Sequence, residues 1–123
     1  KPVVRGLVGP QTLRAAAVAA AVAGLVLPSA LGADAAAAHL LVVASGWLYN
    51  LGMKSSTWSW LPYAAAFGAL PAFVVLALPG DARPAVWAVV VGALLGVGAH
   101  LANVLPDLDD DAATGVRGLP HVL

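Results

Sequence analysis

The stretch PAVWAVVVGALLGVGAHLANVLPDLDDD, residues 84–111, decides the fold. Its first 23 residues carry no charged side chain. Four aspartates then follow within five positions, namely Asp107, Asp109, Asp110 and Asp111. A helix needs about 20 apolar residues to cross the hydrocarbon core of a bilayer. This stretch therefore predicts a membrane-spanning helix that ends in an acidic segment.

The rest of the chain repeats the uncharged pattern. Asp, Glu, Lys and Arg are also absent from 15–33, 35–53 and 55–80. Hydrophobic residues make up 61% of the 123 and charged residues 10%, whereas a soluble domain carries about 25% charged residues. The mean hydropathy is +0.90. We therefore predict an all-α fold: a polytopic transmembrane bundle of four helices in one membrane-embedded domain.

Prolines, glycines and charges set the predicted helix boundaries at approximately 10–28, 34–52, 60–78 and 84–105. Pro10 suits the first turn of a helix, and Asp34 is expected to cap the second helix. Pro71 is expected to kink the third helix. Trp58, Trp60 and Tyr63 cluster just after the loop KSST, as is typical of aromatic residues at a membrane interface.

Small residues indicate how the helices pack. GALLG, residues 92–96, has the Gly-x-x-x-Gly spacing that lets helix backbones approach closely in a membrane, and Gly98 lies further along the same helix. The main interpretation is bundle packing. The alternative is that small residues leave a channel for a lipid tail.

Several classes of site and partner are excluded by composition. The chain has no Cys, so it can form neither a disulfide nor a thiolate metal site. It has a net charge of zero and no basic run, which argues against a nucleic-acid partner. The lipid bilayer remains as the expected surrounding.

The Lys and Arg residues predict the orientation. Five of them fall on the side of the two chain ends and the loop between the second and third helices: Lys1, Arg5, Arg14, Lys54 and Arg117. The opposite side has only Arg83. An excess of basic residues marks the cytoplasmic side, so we expect both ends and the acidic segment to face the cytoplasm, in a bacterial plasma membrane.

Two polar stripes approach this side. His100, Asn103, Asp107 and Asp111 share a helical face by their spacing, although Pro106 is expected to bend the stripe. The second stripe consists of Trp47, Asn50 and Lys54, with Tyr49 beside it. Polar residues within a span usually face a bundle interior or a cavity, and an ion pathway through His100 and Asn103 is one interpretation.

The clustered carboxylates indicate a divalent cation. Neighbouring carboxylates repel one another by about 1 kcal/mol at 4 Å in water, and a helix C-terminus disfavours negative charge. Oxygen ligands point to Mg²⁺ or Ca²⁺. An EF-hand is excluded because its sixth and twelfth positions would be Ala112 and Gly118. The alternative is that the aspartates only hydrate the end of a loop.

NVLPDLDDDAATGVRGLP resembles the second aspartate-rich motif of the UbiA-type membrane prenyltransferases. The form of that motif is N-x-x-x-D-x-x-x-D-x-x-x-G-x-x-x-L. The matching residues are Asn103, Asp107, Asp111, Gly115 and Leu119. YNLGMK is similar to the Tyr/Lys segment of the family, and KPVVRG is similar to the tail of the first aspartate motif. The resemblance covers the whole chain, as the third to sixth of about nine helices.

The resemblance implies Mg²⁺-dependent transfer of an isoprenyl group from a prenyl diphosphate to an aromatic or other lipophilic acceptor. It implies that Asp107 and Asp111 are metal ligands and that Lys54 contacts the diphosphate. Asn50, Asn103 and Arg117 are the further substrate-binding candidates. Lys54 joins the two aspartates as a candidate catalytic residue.

One feature of the family is missing from these residues. No first motif of the N-D-x-x-D-x-x-x-D type occurs, so we expect that half of the metal site immediately before Lys1, in the remainder of a longer protein. The alternative is a non-catalytic four-helix membrane subunit whose acidic loop binds a partner or an ion.

Overall fold

The computed structural model describes residues 6, 8–113 and 115–121, although not the side chains of Asp109, Asp110 and His121. Lys1 and Arg5 lie outside these residues. Within the described part of the chain all regular structure is helical. The elements are α1 (Pro10–Val26), α2 (Ala33–Leu51), α3 (Leu61–Leu76), α4 (Val86–Val104) and α5 (Leu108–Ala113). The all-α prediction and its four long helices are confirmed, with boundaries within about two residues.

The prediction of four membrane spans is confirmed for only two. In the described residues, Pro10–Leu31 and Val86–Asp107 are long and apolar enough to cross a membrane. The first adds the 3₁₀ turn Leu27–Leu31 to α1, and the second adds Leu105–Asp107 to α4. α3 has only 16 residues. α2 has 19, but Asp34, His39 and Asn50 lower its mean hydropathy.

α3 lies at the centre of the packed helices, between α2 and α4. The turn Leu27–Leu31 packs against α2, whereas α1 itself makes few contacts with α2. No residue of α1 is buried. The buried apolar residues are small: Ala35, Ala64, Ala69 and Val104. Most large apolar side chains are exposed, which suits a protein surrounded by lipid.

α3 and α4 approach each other through glycines. A Cβ on Gly92 would lie 2.5 Å from the Phe67 carbonyl oxygen. A Cβ on Gly96 would lie 2.9 Å from the Phe67 Cβ and closer still to the Tyr63 carbonyl. The packing interpretation of GALLG is therefore confirmed, whereas Gly98 has no atom within 4 Å of its Cβ position and takes no part in this contact.

The helix ends follow local chemistry, with one correction. α1 begins at Pro10 as predicted, and Gly52, with a φ of 155°, ends α2. The N-cap of α2 is Gly32 instead of Asp34. Asp34 lies in the first turn without a capping hydrogen bond and accepts one from Arg83 at 3.2 Å. The Asp34 carboxylate thus pairs with the Arg83 guanidinium, which belongs to the α3–α4 loop.

The region around Pro106 differs from a continuous helix. α4 ends at Val104, the chain forms the 3₁₀ turn Leu105–Asp107, and α5 then begins. Three 3₁₀ residues turn the chain by about 60° more than three α-helical residues. At Pro106, where a bend is expected, the chain thus changes from an α-helix to a 3₁₀ turn. By contrast, α3 continues through Pro71 to Leu76.

Replacement of Gly96 tests the close approach of α3 and α4. We expect Gly96→Ala to lower the free energy of unfolding by about 1–3 kcal/mol, because its methyl group meets backbone that cannot move aside cheaply. The matched control is Gly98→Ala on the same helix, which should be neutral or slightly stabilising. Unfolding in a graded series of SDS and mild detergent measures both variants, and equal destabilisation would contradict the packing role of Gly96.

Candidate functional site

The candidate site lies at the end of the bundle where the α2–α3 connection meets the segment after α5. Lys54 occupies the 3₁₀ turn Met53–Ser55 and is half-buried. The Lys54 carbonyl oxygen lies 2.8 Å from the Cβ position of Gly118. The expected proximity of the Lys54 loop to the C-terminal part of the motif is thus seen in the packing.

The residues of the first polar stripe have different surroundings. His100 is 1% exposed, whereas Asn103 and Asp107 are exposed and Asp111 is half-buried. Asn103 Nδ2 donates to the Tyr63 hydroxyl at 3.2 Å. The 3₁₀ turn before α5 changes the direction of Asp107 relative to the α4 face that carries His100, whereas Asn103 precedes that turn and is exposed on α4 itself.

Asp111 belongs to the short helix α5 and lies near Tyr49. Its carboxylate is close enough to the Tyr49 side chain for an electrostatic interaction. Its backbone carbonyl accepts a hydrogen bond from the Val116 amide at 2.8 Å, which closes the chain after α5. Gly115, in the intervening turn, has a φ of 81°, a conformation that favours glycine. This turn directs the following residues back towards the bundle.

The second predicted stripe does not extend as one helical face. Asn50 is in the last turn of α2, and its Nδ2 donates to the Gly46 carbonyl at 2.9 Å, within the same helix. Gly52 then ends α2, so Lys54 does not continue the helical spacing. Arg117 is exposed and follows α5. The structure therefore brings the Lys54 backbone near Gly118, while the Asn50 side chain donates a hydrogen bond within its own helix.

Aromatic side chains line the space between these polar groups. The Tyr49 and Tyr63 rings meet edge to face with centroids 5.3 Å apart. The His100 ring is 5.1 Å from that of Tyr63 and 6.0 Å from that of Tyr49. Tyr63, predicted as an interfacial residue, thus turns towards the bundle. A cavity of about 380 Å³ lies between α2 and α3, with Tyr49, Asn50, Tyr63 and Phe67 in its lining.

Sequence reasoning missed the most deeply buried polar contact. Ser59 is 0% exposed, and its Oγ lies 3.0 Å from His100 Nε2. The Leu119 amide donates to the same Oγ at 2.9 Å. The sequence places His100 in the polar stripe, but no local pattern links it to a serine 41 residues away. The signal that could have drawn attention to Ser59 is a small polar residue between two tryptophans just before Pro62.

His39, in α2, has a packing role. The His39 ring lies 5.3 Å from the Phe73 ring. His39 Nε2 is buried and has no hydrogen-bond partner within the described part of the chain. It lies near Gly24 of α1, at the other end of α2 from Lys54. His39 therefore does not belong to the candidate site.

The arrangement offers oxygen ligands but does not complete a metal centre by itself. Among the residues that the structure describes, no group of three or more His, Asp or Glu side chains could hold a metal ion. Asp107 and Asp111 are hard oxygen donors on consecutive helical turns, a donor type that suits Mg²⁺. Two carboxylates leave the other coordination positions to a phosphate, water or further protein groups.

These features define an all-helical membrane protein in which the segment after α5 packs on a lysine-bearing turn. The family model of the UbiA prenyltransferase family matches residues 1–123, and the chain belongs to this family. No curated protein matches the chain, and no solved structure does. The resemblance seen in the sequence is thereby confirmed, and membership implies a membrane-bound prenyltransferase.

A double-mutant cycle tests the contact that holds Asn103. We expect Tyr63→Phe and Asn103→Ala each to lower the free energy of unfolding, with a coupling energy of about 0.5–1 kcal/mol. The coupling is small because Asn103 is exposed and water can replace its partner. Unfolding of the two single variants and the double variant measures it. Fully additive losses would contradict the hydrogen bond.

Proposed function

We propose that this chain supplies one half of a Mg²⁺-dependent diphosphate site in an intramembrane prenyltransferase. The reaction transfers an isoprenyl group from its diphosphate to an aromatic or other lipophilic acceptor. The observation that carries the proposal is the family match over residues 1–123, which includes the Asn103, Asp107 and Asp111 spacing. The packing of the Lys54 backbone against Gly118 supports it, because Gly118 follows the two aspartates by seven residues or more along the chain.

Asp107 and Asp111 would hold Mg²⁺ through carboxylate oxygens. The bound ion supplies charge neutralisation for the leaving diphosphate. Lys54 would contact a diphosphate oxygen as a mobile point charge, and Arg117 is a further candidate to bind the same anion. Asn103, oriented by Tyr63, would donate or accept a hydrogen bond at the edge of the site.

The bonds change in a balanced way in this reaction. The bond between the allylic carbon and the diphosphate oxygen breaks, and both electrons leave with the diphosphate. The allylic carbon forms a bond to the acceptor, which then loses a proton. The surrounding helices would exclude water from the electron-poor allylic carbon.

The aromatic cavity between α2 and α3 is a candidate for the apolar part of a substrate. Its volume of about 380 Å³ falls within the range of small-molecule sites, roughly 300–1,000 Å³. Tyr49 and Tyr63 offer ring faces to an electron-poor carbon, and Asn50 lies at the polar end of the lining. We propose that this end of the bundle faces the cytoplasm, since Lys54 and Arg117 lie there.

Substitution of the aspartates tests the metal assignment. In the full-length protein, Asp107→Ala and Asp111→Ala should each reduce Mg²⁺-dependent prenyl transfer by at least roughly 100-fold, because a ligand to the transition-state charge is lost. Asp109→Ala is the control, and it should matter less because position 109 is not one of the aspartate positions of the N-x-x-x-D-x-x-x-D spacing. Transfer of a radiolabelled prenyl group measures all three. Normal turnover in either of the first two would remove them from the site.

Substitution of Lys54 tests the diphosphate contact. We expect Lys54→Ala to lower kcat/KM for the prenyl diphosphate by about 10- to 100-fold, because an anion loses its cation partner. Lys54→Arg should restore part of the activity, since it keeps the charge. The acceptor KM should change little in both variants. An equal loss in kcat/KM for acceptor and diphosphate would point to a general defect instead.

A further inference from the structure

The Ser59 hydroxyl joins three separate segments of the chain. Ser59 Oγ accepts a hydrogen bond from the Leu119 amide at 2.9 Å and lies 3.0 Å from His100 Nε2. Ser59 precedes α3, His100 lies near the end of α4, and Leu119 follows α5. Ser59 is 0% and His100 1% exposed, so neither can exchange its partner for bulk water without opening the bundle. We call this group of contacts the Ser59 junction.

The junction closes a loop around the acidic segment. His100 precedes Asp107 by seven residues, and Leu119 follows Asp111 by eight. His100 and Leu119 both contact the Ser59 hydroxyl, so the chain between them forms a loop that begins and ends at Ser59. Ser59 is itself five residues from Lys54, which connects the base of the loop to the lysine-bearing turn.

The fit at the junction is tight. A Cβ on Gly118 would lie 2.7 Å from Ser59 Oγ and 2.8 Å from the Lys54 carbonyl oxygen. Only a glycine therefore allows this segment to reach the Ser59 hydroxyl while it packs on the Lys54 turn. The Leu119–Ser59 hydrogen bond and the packing of Gly118 therefore hold together the same two segments, the α2–α3 connection and the residues after α5.

We propose that Ser59 and His100 are positioning residues, which hold the Asp-rich loop in register with the Lys54 turn for diphosphate binding. The proposal rests on the function proposed above. Like-charged carboxylates repel one another, so a loop without this anchor would spread before a cation binds. Groups that orient metal ligands typically contribute a factor of about 10–100 in metal affinity or activity, although they do not touch the metal.

Hydrogen–deuterium exchange tests the anchor without any assay of activity. In the full-length protein in detergent, we expect backbone amides of residues 115–121 to exchange roughly 10-fold faster in Ser59→Ala than in wild type. Ser55→Ala is the matched control, because Ser55 is an exposed serine in the same connection. Equal exchange in Ser59→Ala and Ser55→Ala would overturn the anchor.

A titration with MgCl₂ and inorganic pyrophosphate tests the positioning role. Protection of the peptides that cover the loop should require about 10-fold more Mg²⁺–pyrophosphate in Ser59→Ala, and it should reach the same final level. Recovery at high ligand concentration distinguishes a misplaced loop from a misfolded protein. Ser59→Thr keeps the hydroxyl and should restore part of the affinity. Equal titration midpoints for wild type and Ser59→Ala would overturn the positioning role alone.

Two further comparisons keep the test decisive. If Ser59→Ala loses its helical circular dichroism signal, Gly118→Ala takes its place, since the added methyl group displaces the same segment from Ser59. Gly118→Ala should show the same faster exchange and weaker ligand response, and wild-type behaviour would overturn the proposal. Wild-type protein that fails to respond to Mg²⁺–pyrophosphate would instead contradict the proposed function.

Discussion

The close approach of α3 and α4 at Gly92 and Gly96 determines how the side chains of these two helices meet at the candidate site. Because these glycines leave no room for a side chain, the α4 backbone lies directly against Tyr63 and Phe67. His100 follows Gly96 by one helical turn, and it therefore meets the Tyr63 ring and the Ser59 hydroxyl. A different register between the two helices would remove both contacts. Helix packing and site geometry thus depend on the same small residues.

Much of this architecture could be predicted from the sequence. Uncharged stretches, together with prolines and glycines, located the four long helices, and the Gly-x-x-x-Gly spacing identified a close helix contact. The number of spans was overestimated, because the absence of charge was treated as sufficient. α3 is too short for that criterion, and α2 carries polar residues that charge alone does not count. The prediction that Asp34 caps α2 is wrong because its partner, Arg83, is 49 residues away and no local pattern indicates that contact.

The candidate site was only partly predictable for a similar reason. Helical spacing grouped Asn103, Asp107 and Asp111, but a 3₁₀ turn at Pro106 changes their relative directions. The contact of Ser59 with His100 and Leu119 spans 41 and 60 residues, and no periodic pattern reports such a contact. Family resemblance supplied the chemistry that the spacing left open. The structure adds the contact between Gly118, which follows the Asp-rich segment, and the lysine-bearing turn.

We propose that this end of the bundle binds an isoprenyl diphosphate through Mg²⁺. The most direct measurement is calorimetric titration of the purified full-length membrane protein with an isoprenyl thiolodiphosphate, an analogue that resists cleavage. We expect saturable binding of the thiolodiphosphate in MgCl₂, which is lost in EDTA and restored when Mg²⁺ is returned. Absence of binding in MgCl₂, or binding of equal strength in EDTA, would contradict it.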